Sequence, residues 1–164
     1  MAIVVRNATL TEAPELARVQ SESWQLVYRG LLPDEILDQP DFIEHNTRVW
    51  TKALTNQAAN QVIATALLNG RIIGVASSGP PLDDDATWGR QLYTMYVAAE
   101  VYGQGVGKAL LDFVLSPKES AALFVAEANQ RAISFYRKHG FEPDGVAQNY
   151  KGIKAIRMVR TGLV

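Results

Sequence analysis

The sequence contains no cysteine among its 164 residues, which excludes disulfides, cysteine-based zinc sites and a covalent thioester on the protein. No apolar run approaches the length of about 18 residues that a membrane-spanning helix needs. The N-terminal Ala2-Ile3-Val4-Val5 is too short for a signal peptide and Arg6 interrupts it, so we expect a cytoplasmic protein without a membrane partner. The formal net charge is −1 and no long run of Lys or Arg occurs, which argues against nucleic-acid binding.

What the chain does contain is an ordinary globular composition, with 48% apolar and 20% charged residues. A chain of 164 residues suits one domain, so we expect residues 1–164 to form a single domain. No linker, internal repeat or low-complexity segment interrupts it.

Strand and helix signals are mixed along the chain. The predicted strands are 3–5, 61–68, 71–77, 92–97, 121–126 and one or two within 150–159. The predicted helices are 12–20, a turn at 33–35, 43–53, one from Val106 that must stop near Pro117, and one from Asn129 to its C-terminal cap at Gly140. Asn69-Gly70 between two β-branched runs is the strongest short-range hairpin signal. The pattern predicts a mixed α/β fold.

A glycine cluster, Gly103, Gly105 and Gly107, lies between a predicted strand and a predicted helix. Glycine lets the backbone turn sharply and approach a ligand closely. The N–H groups and dipole at the start of a helix favour phosphate, and Lys108 adds a positive charge nearby. The segment is therefore a candidate phosphate-binding loop.

Three interpretations of this loop compete. A Walker phosphate loop would need Gly at position 102 and Ser or Thr at position 109, where Tyr102 and Ala109 stand. A dinucleotide fingerprint would need a third Gly at Lys108, although Glu127 lies at a suitable distance for a ribose contact. The third interpretation is a glycine-rich connection that binds no ligand.

Two longer segments resemble a known family. Leu92-Tyr93-Thr94-Met95-Tyr96-Val97, followed by Gly103-Gln104-Gly105-Val106-Gly107-Lys108-Ala109-Leu110-Leu111, resembles the coenzyme A motif of the GNAT N-acetyltransferase superfamily. Ala128-Asn129-Gln130-Arg131-Ala132-Ile133-Ser134-Phe135-Tyr136, through Gly140-Phe141, resembles its second motif. The residues Trp24, Tyr28, Gly30, Leu31, Leu32 and Pro33 resemble a segment that is frequent in its bacterial members. The order and spacing agree over nearly the whole chain.

The resemblance implies a single-domain fold with a mixed, mostly antiparallel twisted sheet flanked by helices. The sheet is expected to splay between its fourth and fifth strands, with acetyl-CoA in the gap and no metal. The amides of Met95 and Val97 would pair with the pantetheine arm, and Asn129 would bond the arm from the other side. The residues implied at the pyrophosphate are Tyr102, Gly103, Gln104, Gly105, Val106, Gly107 and Lys108.

The sequence departs from the family pattern at three positions. The family usually has Arg or Gln where Tyr102 stands and often has Pro where Ala99 stands. It often has Glu where Gln91 stands, so the first position to search for a general base holds an amide instead.

Acyl transfer to an amine needs a neutral nucleophile, a stabilised oxyanion and a protonated leaving thiolate. Because no cysteine is present, we expect direct attack on the bound thioester. The resemblance implies that Tyr136 protonates the thiolate, whereas the helix pattern alone would make it a core aromatic beside Ala132 and Phe135. Asn129 also suits an N-cap, and the two roles are compatible.

No general base is assigned from the sequence. The candidates are Glu127, the run from Asp83 to Asp85, His45 and His139, each of which also fits a surface role; for the acidic run a solvated loop is the simpler interpretation. Trp24, Tyr28 and Trp88 are candidates for the wall of the acceptor pocket, with core packing as the alternative.

The sequence thus predicts an acetyl-CoA-dependent N-acetyltransferase that acts on a primary amine by a sequential mechanism. The alternatives are a non-catalytic acyl-CoA-binding domain of the same fold and a nicotinamide-dependent oxidoreductase. The acceptor, a small-molecule or peptide amine, stays open among polyamines, amino acids, aminoglycosides and protein N-termini. The length of the acyl group and the formation of a homodimer also stay open.

Overall fold

The computed structural model describes residues 2–162, so Met1, Leu163 and Val164 of the predicted 1–164 domain lie outside it. Within this range the strands are β1 (Ile3–Asn7), β2 (Val62–Leu68), β3 (Arg71–Gly79), β4 (Arg90–Val97), β5 (Ala121–Ala126), β6 (Glu142–Tyr150) and β7 (Ile153–Arg160). The α-helices are α1 (Ala13–Val27), α2 (Asp34–Leu37), α3 (Phe42–Thr55), α4 (Val106–Val114) and α5 (Gln130–Lys138). Short 3₁₀ turns at Leu10–Glu12 and Ala99–Val101 precede α1 and follow β4.

The strands form a sheet in the order β1-β2-β3-β4-β5-β7-β6. The sheet is mostly antiparallel, and β4 and β5 form its parallel pair. Their ladder joins Arg90 to Ala121 and Gln91 to Ala122. It ends there although β4 continues to Val97 and β5 to Ala126. The predicted fold class, a mixed and mostly antiparallel sheet flanked by helices, is confirmed.

One compact unit consists of Met1–Ser78 and Thr94–Val114. Its apolar core joins α1 and α3 to β2 and β3, and its buried members are Ala13, Leu16, Ala17, Val19, Trp50, Ile63, Ile72 and Val75. Leu16 and Val19 are fully buried because they recur on one face of α1 at the helical period. Burying a side chain of this kind contributes about 1.5–3 kcal/mol. The helix continues to Val27, beyond the predicted end at residue 20, and its additional turns bury Ser21 and Ser23.

The hairpin between β2 and β3 turns at Asn69-Gly70, as predicted. The φ angles of these residues are 53° and 79°. Positive φ at both central residues is what a type I′ turn requires, and its twist matches that of the strands. The turn residues therefore fix the start of the β2–β3 register at Leu68 and Arg71.

The other compact unit consists of Gly79–Tyr93 and Leu115–Val164. In it β5 pairs antiparallel with β7 from Ala121 opposite Arg160 to Ala126 opposite Ala155. Gly140 has φ +92° just after α5, which confirms its predicted role in ending the helix. The chain then turns so that Phe141, at 0% exposure, packs in the interior.

The prediction that the final strands lie within 150–159 is wrong for β6, which begins at Glu142. Every residue of β6 is exposed, and its register with β7 shifts between Pro143 and Ala147. An edge strand with no buried face lacks the alternation by which strands are recognised. Pro143 and Gly145 also have the composition of a turn, which edge strands tolerate.

Candidate functional site

The glycine loop lies in the first unit, between the 3₁₀ turn at Ala99–Val101 and α4. Gly103 has φ +79° and Gly105 has φ +87°, a conformation that side-chain-bearing residues rarely adopt. A Cβ built at either position would have no heavy atom within 4 Å. The glycines are therefore required by the backbone conformation, and the space beside them is free of the rest of the chain.

The helix that follows this loop is held firmly. Val106, Leu110, Leu111 and Val114 are at most 2% exposed, and the Ser78 hydroxyl donates to the last carbonyl, that of Val114, at 2.6 Å. The first N–H groups of any helix have no partner inside the helix. Because they sit at the positive end of the helix dipole, a fixed α4 presents an anion-binding end.

Lys108 lies in the first turn of α4 and its ammonium group contacts the carboxylate of Asp112 one turn later at 2.5 Å. The lysine side chain is 64% exposed, so the ion pair is a surface one. A surface pair of this kind contributes about 0–1 kcal/mol, and little would therefore oppose a shift of the ammonium group toward a phosphate.

Along the second half of β4, successive N–H groups point alternately toward β3 and toward the opposite side of the strand. The N–H of Ala98 donates to the carbonyl of Ile73 on β3 at 2.8 Å. Because backbone groups alternate in direction along an extended strand, the N–H groups of Met95 and Val97 point to the edge away from β3. The family resemblance implies that these two amides pair with the pantetheine arm.

In the second unit, Asn129 caps α5 as its residue type suggests. Its Oδ1 accepts from the N–H of Ala132 at 3.2 Å. Its Nδ2 makes no hydrogen bond with any residue in the range 2–162, so the cap leaves the amide nitrogen available as a donor.

Tyr136 is only 7% exposed. Its ring meets Phe135 and Phe141 edge-on, with centroid distances of 5.4 and 5.8 Å. Its carbonyl accepts from the N–H groups of His139 and Phe141, both at 3.0 Å. The packing expected from the helix pattern is therefore present, and it fixes the position of the ring.

Three candidate general bases lie in an ion pair, against an aromatic ring and on the surface, respectively. Glu127 pairs with Lys154 at 3.1 Å, and both side chains are more than half exposed. His139 follows the last turn of α5 with its ring 4.5 Å from that of Phe135. His45 is an exposed residue of α3.

Gln91, at the position where the family often has Glu, is 4% exposed. Its side-chain oxygen accepts from the N–H of Leu82 at 3.1 Å. The amide thus holds the backbone of the segment that enters β4, which is a structural role.

The sequence missed the importance of Arg157 on β7. Its guanidinium, 6% exposed, forms two hydrogen bonds with Asp85 at 2.8 and 2.9 Å, one with Asp83 at 2.9 Å and one with Asp144 at 2.8 Å. It also lies 4.8 Å from the ring centroid of Trp88. The available signal was weak, because β7 also carries Lys154 and Arg160 and Arg157 does not stand out among them.

These contacts add to the interpretation of residues 83–85 as a solvated loop: Asp83 and Asp85 bind Arg157, while the Asp85 side chain stays 62% exposed and Asp84 is exposed too. The hydrogen bonds that Arg157 donates hold the pKa of the Asp85 carboxyl below its usual value, and the same bonds raise the pKa of Arg157. Both shifts favour the charged pair. A carboxylate held ionised by a guanidinium is a poor proton acceptor, which argues against Asp85 as a general base.

Aromatic side chains gather at the end of α1 in the first unit. The ring of Trp24 lies 4.6 Å from that of Tyr28 and 6.3 Å from that of Phe42. Its Nε1 donates to the Tyr96 hydroxyl at 3.2 Å. Trp24 and Tyr28 are thus brought together beside β4, whereas Trp88 belongs to the second unit and packs on Arg157.

Within residues 2–162 there is no group of three or more His, Asp or Glu side chains arranged to hold a metal ion. None of the helices in the described part of the chain has the length and apolarity that a bilayer crossing would need.

Known proteins show the same architecture. The family model "Acetyltransferase (GNAT) domain" matches residues 35–161. The uncharacterized N-acetyltransferase YuaI of Bacillus subtilis is 28% identical over 98% of this chain and 91% of its own length. The peptidyl-lysine N-acetyltransferase YiaC of Escherichia coli is 42% identical over 53 residues, which cover 32% of this chain and 36% of its own.

Among solved structures, the PaiA N-acetyltransferase of Thermoplasma acidophilum in complex with coenzyme A has a TM-score of 0.75. It is 19% identical, with 98% of this chain and 99% of that chain covered. A likeness at this identity establishes a shared fold.

Proposed function

The chain belongs to the GNAT acetyltransferase family, and on that premise we propose that it transfers the acetyl group of acetyl-CoA directly to a primary amine by a sequential mechanism. The observation that carries this proposal is the glycine loop at the start of α4. Gly103 and Gly105 adopt positive φ with free space beside them, as a backbone cradle for a diphosphate requires.

The remaining cofactor contacts are part of the same proposal. The amides of Met95 and Val97, which point away from β3, would pair with the pantetheine arm. The free Nδ2 of Asn129 is a further donor for it. The residues proposed around the diphosphate are Tyr102, Gly103, Gln104, Gly105, Val106, Gly107 and Lys108.

The chemistry of the proposed reaction is a direct displacement. The neutral amine attacks the thioester carbonyl carbon, the new C–N bond forms, and the C–S bond breaks. The departing thiolate takes a proton from the Tyr136 hydroxyl, the amine loses a proton to solvent, and the Tyr136 phenolate regains a proton from solvent. The pKa of a lysine ammonium group lies about three units above pH 7, so forming the neutral amine costs about 4 kcal/mol.

The general base stays unassigned in this proposal. Gln91 cannot act as one, and the other carboxylates named above are engaged in ion pairs or lie on the surface. Proton removal through a chain of water molecules is consistent with these residues.

We also propose that the whole chain acts as one N-acetyltransferase domain. The family match from residue 35 to residue 161 supports this, as does the nearly full-length match to YuaI. The family match also sets aside the nicotinamide-dependent alternative. The name of YiaC supports peptidyl lysine as an acceptor class beside small amines.

A second candidate is a non-catalytic domain that binds acyl-CoA, and the amide at Gln91 is the observation that favours it. The release of free coenzyme A thiol separates the two functions. An enzyme releases thiol at a rate that depends on the amine concentration, whereas a binding domain releases none.

The catalytic role of Tyr136 is tested by Tyr136→Phe. We expect kcat to fall by about 100-fold, within the range of general acid catalysis, while the Kd for acetyl-CoA stays within about twofold of the wild type. Tyr150→Phe, at an exposed position of β6, is the matched control and should leave both unchanged. An equal loss of turnover and affinity in Tyr136→Phe would mark the residue as structural.

A further inference from the structure

The segment from Arg29 to Glu44, here called the cap, links α1 to α3 and is firmly attached to the first unit. Leu32 and Leu37 point inward at 7% and 0% exposure. The side-chain amide of Gln25 on α1 donates to the carbonyl of Leu37 at 3.0 Å. Arg29 binds Asp34 at 3.0 Å and Asp38 at 2.9 Å. The cap is therefore a structured surface.

Large apolar side chains of the cap are exposed to solvent. Leu31 is 49% exposed, Ile36 is 40% exposed and Ile43 is 44% exposed. Leu26, on the last turn of α1, is 56% exposed. Single exposed apolar residues need no explanation, but several on one short segment indicate a contact surface.

The same segment concentrates negative charge. Its acidic residues are Asp34, Glu35, Asp38, Asp41 and Glu44, and its one basic residue is Arg29. One arginine against five carboxylates gives the cap a formal charge of −4, so with a net charge of −1 the rest of the chain carries +3.

Three of these carboxylates have no side-chain partner. The side chains of Glu35, Asp41 and Glu44 form neither hydrogen bonds nor ion pairs with any residue that the structure describes. Glu35 and Glu44 lie in the first turns of α2 and α3, where the helix dipole favours a negative charge, but no described cationic side chain pairs with them.

The cap also lies close, within the first unit, to the part of β4 that is proposed to hold the pantetheine arm. Phe42 of the cap lies 6.3 Å from Trp24, ring centroid to ring centroid. Trp24 in turn donates to the hydroxyl of Tyr96, which stands on β4 between Met95 and Val97. A molecule bound to the cap would lie near the strand proposed to hold the pantetheine arm.

From these observations we infer that the cap is the docking surface for a basic polypeptide segment with apolar residues, and that this segment carries the acceptor amine. The inference rests on the proposed function and names its substrate class. A small amine would need an enclosed concave pocket, whereas the cap offers exposed apolar side chains spread along a segment. A basic peptide matches both the apolar residues and the charge.

A second copy of the chain fits this surface less well. Symmetric pairing through the cap would set two segments of charge −4 against each other, and the repulsion would oppose it. A concentration-dependent dimer that is lost on changing the cap would overturn the inference.

The test measures acetyl transfer from acetyl-CoA to three probes. The first is a short N-terminally blocked peptide with one lysine flanked by Arg and Leu. The second is the same peptide with Glu in place of Arg, and the third is free lysine amide. We expect kcat/KM to be at least about tenfold higher for the basic peptide than for either other probe, a difference of about 1.4 kcal/mol.

Variants of the cap separate docking from chemistry. We expect the double variant Ile36→Ser/Ile43→Ser to raise the KM for the basic peptide at least about tenfold. Its rate with lysine amide and its KM for acetyl-CoA should not change. Val49→Ser and Leu82→Ser, at apolar positions that are 50% and 69% exposed outside the cap, are the controls and should leave the peptide KM unchanged.

The charge component has its own test. Glu35→Gln/Glu44→Gln should weaken the dependence of the peptide KM on salt, since two carboxylates without a described ion-pair partner are removed. Lysine amide that is acetylated as efficiently as the basic peptide, or cap variants with no effect on the peptide KM, would overturn the inference while leaving the proposed function intact. If instead no probe is acetylated and acetyl-CoA does not bind, the proposed function itself fails.

Discussion

The ring of Tyr93 fills the space in which a side chain at Gly79 would lie: a Cβ added to Gly79 would come within 2.5 Å of the Tyr93 hydroxyl oxygen and 2.7 Å of its ring. The hydroxyl donates to the carbonyl of Pro80 at 2.6 Å. Burial raises the pKa of Tyr93 above its ordinary value, and a tyrosine hydroxyl is already protonated at neutral pH. Gly79 is thus required by close approach, since its φ is not in the left-handed region.

Gly79→Ala should therefore displace Tyr93 and break its hydrogen bond. We expect the free energy of unfolding in urea to fall by about 2 kcal/mol, the usual cost of overpacking. Gly89→Ala is the matched control, because its Cβ would lie 3.8 Å from the nearest atom, the Ser120 hydroxyl oxygen. Equal losses in the two variants would show that Tyr93 does not fill the space.

Arg157→Met should destabilise the second unit strongly. The buried guanidinium binds Asp83, Asp85 and Asp144, whose side chains are 25%, 62% and 28% exposed and stay hydrated without it, so the loss is that of its charged hydrogen bonds, about 1.5–3 kcal/mol. Arg71→Met, which removes a pair with Glu100 that is more than half exposed, should cost at most about 1 kcal/mol. Similar losses, measured by urea unfolding at pH 7, would contradict the role given to Arg157.

Thr65→Val should stabilise the protein. Thr65 is fully buried on β2 opposite Val75, and its hydroxyl has no hydrogen-bond partner among residues 2–162. Removing an unsatisfied buried hydroxyl should raise the free energy of unfolding by about 1 kcal/mol.

Thr94→Val provides the opposite case, because the Thr94 hydroxyl is bonded to that of Ser77 at 2.6 Å. This variant leaves Ser77 without its partner and should lower the free energy of unfolding by about 1 kcal/mol. If both threonine variants shift the urea midpoint in the same direction, hydrogen bonding does not explain the difference.

Glu12 should make stability depend on pH. Its carboxylate accepts from Arg6 at 2.6 and 3.0 Å and from the N–H of Thr9 at 2.8 Å. The hydrogen bonds from Arg6, ahead of the backbone bond from Thr9, lower the pKa of Glu12. A group whose pKa is lowered on folding stabilises the native state above its unfolded pKa of about 4.3, and this contribution is lost as the pH falls through the folded pKa.

Glu12→Gln should accordingly cost about 1 kcal/mol at pH 7, and its difference from the wild type should shrink as the pH is lowered below about 4. Glu15→Gln, which changes a carboxylate that is 53% exposed, should show little difference at either pH. A constant gap between Glu12→Gln and the wild type from pH 7 to pH 3 would rule out the linkage.

Local signals in the sequence predicted much of the fold. Asn69-Gly70 marked the β2–β3 hairpin, because few residue pairs adopt positive φ at both turn positions. Residues 121–126 marked β5 because a buried strand is a continuous apolar run. Gly140 marked the end of α5. In each case the residue type and the local conformation are tied by a short-range steric rule.

The features that the sequence did not reveal depend on partners far along the chain. Arg157 gathers Asp83 and Asp85 from a segment more than 70 residues away, and no local pattern announces such a contact. The structural role of Gln91 likewise depends on the backbone of Leu82. The directions of the Met95 and Val97 N–H groups follow from the hydrogen bond between the Ala98 N–H and the Ile73 carbonyl, a contact between strands that no local pattern indicates.

The central claim is that main-chain amides of the glycine loop bind the diphosphate of acetyl-CoA. Isothermal titration of acetyl-CoA into the wild type, Gly105→Ala and Gly70→Ala tests it most directly. Gly105 and Gly70 have φ +87° and +79°, and a Cβ at either meets nothing within 4 Å, so the two substitutions impose similar backbone strain at different places. The account predicts that the wild type and Gly70→Ala bind with the same Kd and that Gly105→Ala binds at least about tenfold more weakly, a loss of about 1.4 kcal/mol. Absence of binding to the wild type, or equal Kd values for all three proteins, would contradict it.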